Sequence, residues 1–153
     1  MTHTPTAIAT HIEESHVIPA PITDVWSVIK SMKMETWWSL LDKVTSDSSA
    51  PGLSIGSTYT LHFKDGTAWG IVIMEASELH KSVSFELVSS NPSISVSSAL
   101  HKLSCKPVTA TNQSFISWST DFSNDASADT VLDSRFKKRE GLQGLHDHFA
   151  TNK

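Results

Sequence analysis

Residues 129–149 constrain the fold of this chain most, because their apolar members recur with the period of an α-helix. These apolar members are Leu132, Phe136, Leu142, Leu145 and Phe149. Polar residues, Lys137 and Lys138 among them, stand between the apolar ones. A helix with one apolar face must pack against another element. Arg139 and Gly141 lie on or near this face and suit a packed core poorly, so we predict that the helix borders a cavity.

Much of the preceding sequence alternates between apolar and polar residues, which is the pattern of half-buried strands. Residues 64–66, Lys-Asp-Gly, are typical of a three-residue hairpin loop in which glycine adopts a positive φ. This loop predicts that Leu61 lies opposite Trp69. It also places Tyr59 opposite Ile71, so that all four apolar residues share one face of the hairpin. Further strands are predicted at residues 82–87, 93–97 and 115–122, while the orientation of residues 99–108 stays open.

Before this hairpin the sequence predicts one extended segment and two short helices. The predicted elements are a strand at residues 10–18, short helices from Ile22 and at residues 34–41, a strand at residues 43–45 and a loop at residues 46–56. Pro19 and Pro21 end the first strand, because proline fits poorly inside a central strand or a helix. We expect residues 1–9 to form a flexible tail and residues 10–150 to form one domain.

The overall composition excludes several classes of function. The net charge is −4 and the 12 basic residues are scattered, so the sequence lacks the basic patch of a nucleic-acid-binding protein. Cys105 is the only cysteine, which excludes an internal disulfide and points to a reducing compartment. No segment has the length of a membrane span, and no set of His, Asp and Glu has metal-site spacing. We therefore expect a cytoplasmic protein, monomeric or homodimeric, without membrane insertion, metal ion or cofactor.

Several residues stand at distinctive places along the predicted elements. They are the segment 15–21, Val25, Trp26, Trp37 or Trp38, Gly56, Glu75, Trp118, Phe122, Gly141, Leu142 and Leu145. Together with the element order, they resemble the START-like, Bet v 1-like superfamily, often labelled polyketide cyclase/dehydrase. The resemblance implies a helix-grip fold of the α+β class. In that fold a curved antiparallel sheet wraps around a long C-terminal helix, and two short helices follow the first strand.

The resemblance also implies a cavity between the sheet and the C-terminal helix. Such a cavity would bind a hydrophobic small molecule, for example a lipid, a polyketide or a hormone-like compound. Members of the superfamily include carriers, receptors, cyclases, isomerases and co-chaperone domains, so the fold alone does not decide the function. We favour a binding protein over an enzyme. A cyclase or isomerase that uses a cavity carboxylate or histidine is the second hypothesis, and a protein-interaction adaptor is the third.

The candidate site residues lie on the predicted inner faces of the sheet and the helix. The predicted ligand-binding residues are Trp37, Tyr59, Leu61, Trp69, Ile71, Phe85, Trp118, Phe136, Arg139 and Leu142. Arg139 would bind a ligand carboxylate or an inner acid, or else extend to solvent. The first two catalytic candidates are Glu14 and His16, which alternate in phase with Ile12 and Ile18 and so share the predicted inward face of the first strand. The third is Glu75, which continues the inner face of the strand that carries Trp69 and Ile71.

Overall fold

The computed structural model describes residues 9–47, 53–94 and 96–151. Within these residues the chain forms seven strands, two α-helices and one 3₁₀ helix. In chain order they are β1 (His11–Ile18), α1 (Ile22–Lys30), the 3₁₀ helix (Met34–Thr36), β2 (Leu41–Ser46), β3 (Thr58–Phe63), β4 (Ala68–Ser77), β5 (Ser82–Asn91), β6 (Ala99–Val108), β7 (Gln113–Phe122) and α2 (Ala128–Thr151). The predicted N-terminal tail lies outside the described residues except for Ala9.

All the described strands belong to one antiparallel sheet in the order β1-β7-β6-β5-β4-β3-β2, so β1 and β2 form its edges. The sheet curls into a half-barrel around α2, which packs against β1. This arrangement confirms the predicted helix-grip fold. In the described part of the chain, no helix is both long enough and apolar enough to cross a membrane.

The β3–β4 hairpin has the predicted register. Leu61 pairs with Trp69, and Tyr59 pairs with Ile71. Gly66 adopts a φ of 92°, the left-handed conformation that the loop requires of its last residue. These four paired side chains are buried, so the turn residues together with the alternation were enough to fix which face of the hairpin points inward.

The predicted inward orientation of Glu75 is wrong. Ile73 pairs with Phe85, yet Glu75 pairs with the next residue of β5, Ser84, so Met74 is an extra residue in β4. Such a bulge reverses the alternation that follows it. Glu75 is therefore exposed, and it does not continue the inner face of β4.

Two predicted boundaries also differ from the structure. Within residues 34–41, helical structure is limited to the 3₁₀ helix, and β2 already begins at Leu41. The strand predicted around Ile94 and Val96 is irregular, with Ser95 outside the described residues. The next strand is instead β6, which buries Ala99, His101, Leu103 and Cys105 and exposes the residues between most of them. Burial raises the pKa of Cys105 to about 12, so this thiol stays protonated.

The helix α2 includes the predicted residues 129–149 and extends slightly beyond them, but it turns a different face toward the sheet. Leu132 and Phe136 are 61% and 53% exposed, so the prediction that they face inward is wrong. The buried residues of the helix recur at steps of three and four. They are Val131, Ser134, Lys138, Leu142 and Leu145, together with Gly141. Arg139, also predicted to face inward, is exposed.

Glycine explains this rotation of α2. A Cβ atom on Gly141 would lie 2.6 Å from the ring of Trp118, and one on Gly144 would lie 1.9 Å from the carbonyl oxygen of Trp37. The helix therefore approaches its neighbours most closely along its glycines. The face of closest approach, and not the face with the most apolar side chains, sets the orientation of the helix.

Tryptophans fill the space beneath the middle of α2. The Trp38 ring lies edge-on to the Trp118 ring, with 4.8 Å between their centroids, and Trp37 lies 6.1 Å from Trp118. Phe63 extends this cluster toward Trp69 at 4.8 Å. The rings are buried, so this region is a packed core. Open space under the helix is found nearer its N-terminus.

Candidate functional site

A cavity of about 210 Å³ lies between the sheet and the first two turns of α2. Its wall is formed by Trp69, Leu87, Ile94, Ala99, His101, Phe122, Asp129, Thr130, Asp133 and Ser134. The sheet contributes mainly apolar side chains from β4 to β7, with His101 as its polar exception, whereas α2 contributes carboxylate and hydroxyl groups. One wall of the cavity is therefore apolar and the other polar, which is how small-molecule sites combine contact area with orientation.

The segments that flank this cavity are held together by Asp125. The carboxylate of Asp125 accepts hydrogen bonds from the hydroxyl groups of Ser97 and Ser123 and from the backbone N–H of Ser97. The hydrogen bonds from Ser123 and then Ser97 lower the pKa of Asp125 to about 2. These contacts tie the segment before β6 to the segment that leads into α2. The first segment contributes Ile94 to the cavity wall, and the second joins the lining residues Phe122 and Asp129.

His101 is the most buried polar group of the cavity wall. Its ring stacks on Phe85 at 5.1 Å and on Trp69 at 5.9 Å, and its side chain is buried. The Nδ1 atom lies 2.7 Å from the hydroxyl oxygen of Thr120. Burial, with a further contribution from the charge of Lys138, holds the pKa of His101 well below its usual range, so the ring is neutral at pH 7.

The other ring nitrogen of His101 has no hydrogen-bond partner among the described residues. This atom, Nε2, is buried, and a buried polar atom without a partner carries a free-energy penalty of roughly 1–3 kcal/mol. A ligand hydroxyl or carbonyl group that reached Nε2 would remove that penalty. His101 is thus the group on the cavity wall best suited to orient a polar ligand atom.

Lys138 lies behind the polar wall of the cavity. It is 1% exposed, and its Nζ donates a hydrogen bond of 2.7 Å to the Oγ of Ser134, which lines the cavity. The Nζ atom also lies 5.5 Å from the centroid of the Trp118 ring. Burial lowers the pKa of Lys138 to about 7, Glu14 opposes this shift, and Lys137 adds to it. The lysine amine is therefore partly neutral near pH 7.

Two carboxylates at the start of α2 complete the wall. Asp133 forms an ion pair with Lys137, whose Nζ lies 5.7 Å from the ring centroids of both Phe63 and Trp69. Asp129 stands in the first turn of the helix, where the helix dipole stabilises negative charge. The charge of Asp133 is thus compensated by Lys137. The charge of Asp129 leaves this side of the cavity negative.

Trp69 is the predicted ligand-binding residue that the structure places on the cavity wall. Phe85 is buried behind His101. The other predicted residues that are buried belong to the core around the tryptophan cluster; they are Trp37, Tyr59, Leu61, Ile71, Trp118 and Leu142. Phe136 and Arg139 lie on the exposed side of α2. The sequence therefore predicted the interior of the sheet well but not the position of the open space.

The three catalytic candidates lie apart from the cavity wall. Glu14 does face α2, and its Oε1 lies 3.1 Å from the Nε of Arg139 and 3.4 Å from the Nη1 of Arg135. His16 stacks on His146 with 4.9 Å between the ring centroids. Glu75 is exposed beyond the bulge. The inward parity predicted for β1 was correct, but its ionisable residues contact the outer flank of the helix.

His101 and Lys138 were not among the predicted site residues, although the sequence holds a signal for each. In β6, Lys102 and Lys106 lie on the same face of the strand because they are four residues apart, and lysines mark the solvent face, whereas His101 has the opposite parity. That pattern alone would have turned His101 inward. For Lys138, the signal is its spacing of three residues from Gly141, which lies at the closest approach to the sheet.

Comparisons with known proteins agree with this fold. Residues 9–150 match the family described as polyketide cyclase / dehydrase and lipid transport. No curated protein gives a significant match. A solved structure from Nitrosospira multiformis has a TM-score of 0.78 at 23% identity and covers 91% of this chain and 95% of that chain. Protein XoxI from Bacillus cereus has a TM-score of 0.79 at 17% identity, with 93% and 96% covered.

A plant protein shares the architecture as well. Ginseng major latex-like protein 151 from Panax ginseng has a TM-score of 0.73 at 13% identity, with 91% of this chain and 96% of that chain covered. At such identities the solved structures show a common fold and no more. The family match, by contrast, spans nearly the whole chain. This chain therefore belongs to the polyketide cyclase / dehydrase and lipid transport family, and with it to the START-like, Bet v 1-like superfamily.

Proposed function

We propose that this protein binds a small, uncharged hydrophobic molecule in the cavity between Trp69, His101 and the start of α2. The observation that carries the proposal is the composition of the wall, in which an apolar sheet face opposes a few polar groups. Membership of a family whose description includes lipid transport supports the same function. The predicted class of ligand was a lipid, a polyketide or a hormone-like compound, and the dimensions of the cavity narrow it.

The volume supports a ligand with one ring. An engineered cavity of about 150 Å³ accommodates benzene, whereas pockets for drug-sized molecules have roughly 300–1,000 Å³. At about 210 Å³, the cavity has room for one ring with a short substituent, or for an aliphatic chain of similar volume. A polyketide with several fused rings, or a lipid with long acyl chains, is too large for it.

The polar groups support an uncharged ligand. Asp129 and Asp133 line the cavity, and a ligand carboxylate would be repelled by the first of them. His101 is neutral and offers Nε2, while Ser134 and Thr130 offer hydroxyl groups. An alcohol, a phenol or a carbonyl compound would satisfy these groups without placing another charge in the site.

Titration with benzyl alcohol, followed by heteronuclear NMR, tests this proposal. We expect saturable chemical-shift changes at Trp69 and His101, and weaker binding of benzoate. Ala99→Leu should abolish binding because it fills the cavity, whereas Ala76→Leu, the same change in β4 away from the wall, should preserve it. Absence of binding to benzyl alcohol, or equal binding by the Ala99→Leu variant, would overturn the proposal.

The cyclase or isomerase hypothesis has less support. Its candidate acids and bases were Glu14, His16 and Glu75, and none of these belongs to the cavity wall.

The adaptor hypothesis required a filled interior, and the cavity argues against it.

A further inference from the structure

We propose that Lys138 captures small aldehydes or ketones that enter the cavity, as a Schiff base on its Nζ atom. This inference rests on the proposed function, because it names the chemical class of ligand for the same cavity. It assigns a reactive role to a residue that stands among the polar side chains between the apolar members of α2.

The position of the amine is the first observation. The Nζ of Lys138 donates its hydrogen bond to Ser134, and Ser134 lines the cavity, so the amine lies one hydrogen bond behind the wall. A carbonyl group that contacts Ser134 from the cavity is separated from Nζ by the serine hydroxyl alone, and Nζ must move past that hydroxyl to react. His101 lines the cavity from the sheet side, and the charge of Lys138 contributes to lowering the pKa of His101, so the two groups interact electrostatically.

The absence of a paired carboxylate is the second observation. Buried lysines are usually paired with an acid, because an isolated charge is costly to bury. Within residues 9–47, 53–94 and 96–151, Lys138 forms no ion pair, whereas Lys30 and Lys137 each do. The charge of Glu14 influences Lys138, but the Glu14 carboxylate is bound to Arg135 and Arg139. The surroundings therefore suit a neutral amine, which is the nucleophilic form.

The reaction is a condensation that needs no further reagent. The lone pair of the neutral Nζ attacks the carbonyl carbon, the C–N bond forms, and the π electrons of the carbonyl move to oxygen. A proton passes from nitrogen to that oxygen, giving a carbinolamine, and loss of one water molecule forms the C=N bond. The hydroxyl group of Ser134, 2.7 Å from Nζ, is placed to relay this proton. The aldehyde or ketone and the amine thus yield one imine and one water.

The charged neighbours determine how much of the amine is reactive. Glu14 on β1 favours the protonated form, while burial and Lys137 on α2 favour the neutral form, and His101 on β6 is itself neutral. With a pKa of about 7, a substantial fraction of Lys138 is neutral at pH 7. An exposed lysine at the same pH is neutral in roughly one molecule of 2,500. Selective reaction at one lysine is the expected consequence.

Reductive trapping tests the proposal. The full-length protein is treated at pH 7 with benzaldehyde and sodium cyanoborohydride, and labelled peptides are quantified by mass spectrometry. We expect one benzyl group, placed on Lys138 at least ~100-fold faster than on the exposed Lys106, in line with the ratio of neutral amines. The Lys138→Arg variant should lose this fast labelling, and the matched Lys106→Arg variant should keep it. The rate at Lys138 should level off above pH 7, whereas the rate at Lys106 should continue to rise.

Two results separate this inference from the proposed function. If benzyl alcohol binds but Lys138 reacts no faster than Lys106, the Schiff base is refuted and the binding site remains. If neither compound binds, both proposals fail. Ser134→Ala provides a second variant that needs no change at the lysine: it should retain labelling of Lys138 at a changed rate. An unchanged rate in that variant would contradict the role given to the serine hydroxyl.

Discussion

Gly144 lies so close to Trp37 that a methyl group on its Cα would overlap the carbonyl oxygen of the tryptophan, at a distance of 1.9 Å. The contact involves backbone, which cannot rotate away as a side chain can. The glycine thus allows α2 to approach the segment that contains the Trp37–Trp38 pair. Glycine inside a helix can mark either a bend or the close approach of another element, and at Gly144 it marks a close approach.

Gly144→Ala should therefore destabilise the protein by about 3 kcal/mol, as overpacking does in a tightly packed interior. Alanine is the better helix former by about 1 kcal/mol, so a stabilised variant would be the result if the site were open. Chemical denaturation measures the difference. Gln143→Ala, an exposed change next to it, should stay within about 0.5 kcal/mol of the wild type. A stable Gly144→Ala variant would contradict the close approach.

Thr120→Val should destabilise the protein by about 1–3 kcal/mol, because it removes the hydrogen-bond partner of His101 Nδ1 at nearly constant volume. The double variant Thr120→Val with His101→Phe should recover part of this loss, since it removes both polar groups. A double-mutant cycle of unfolding free energies measures the coupling. Additive effects of the two changes would mean that the hydrogen bond contributes nothing.

The sheet was largely predictable because its signals are local. The sequence of residues 64–66 determines a turn, the turn determines the pairing of Leu61 with Trp69, and alternation then determines the buried face. Glu75 shows the limit of this reasoning. The extra residue Met74 reverses which face of the sheet each later residue of β4 points to, and no residue type in the strand predicts a bulge.

The cavity was not predictable because it depends on how α2 is rotated about its axis. Counting apolar residues put Phe136 and Arg139 inward, whereas contacts at Gly141 and Gly144 put Ser134 and Lys138 there. Such contacts join residues that are distant in sequence, and the helical periodicity of one segment cannot predict them. The position of the open space then follows from where the tryptophan cluster ends, and that too is a tertiary property.

Arg139→Ala should leave the affinity for benzyl alcohol unchanged, because Arg139 lies on the exposed flank of α2 and contacts Glu14. Its ion pair is half exposed, so the loss of stability should be below about 1 kcal/mol. Calorimetric titration alongside thermal unfolding tests both statements. A fall in affinity of tenfold or more would indicate that the ligand binds next to Arg139, as the sequence predicted.

Asp125→Asn should loosen the segment before β6 and the segment that leads into α2, because the amide cannot accept the same three hydrogen bonds from Ser97 and Ser123. The pKa of Asp125 is lowered, so its stabilising effect is present above the ordinary carboxyl pKa of about 4. The effect is lost as the pH falls from about 4 through its folded pKa of about 2. Faster amide hydrogen exchange at Ser97 measures the loosening, with the exposed Asp42→Asn as control. Unchanged protection would show that other contacts hold these segments.

Lys138→Met should stabilise the protein by about 1–4 kcal/mol at pH 6, because it replaces a buried amine without an acid partner by an apolar side chain of similar length. Below pH 7, Lys138 is protonated in both the folded and the unfolded protein, and the full cost of burying the charge is present. Between pH 7 and about 10.5 the unfolded chain holds a proton that the folded protein has released. The stability of the wild type therefore rises with pH across this range relative to that of the variant.

The advantage of Lys138→Met should accordingly shrink as the pH is raised from 6 to 10. Urea denaturation at several pH values measures this trend, and Lys106→Met, an exposed change in β6, should show no such dependence. The loss of the hydrogen bond to Ser134 lowers the gain at every pH but does not alter its slope. If the difference in stability were flat across this range, Lys138 would hold its proton in the folded protein, and the amine that the Schiff base requires would be missing.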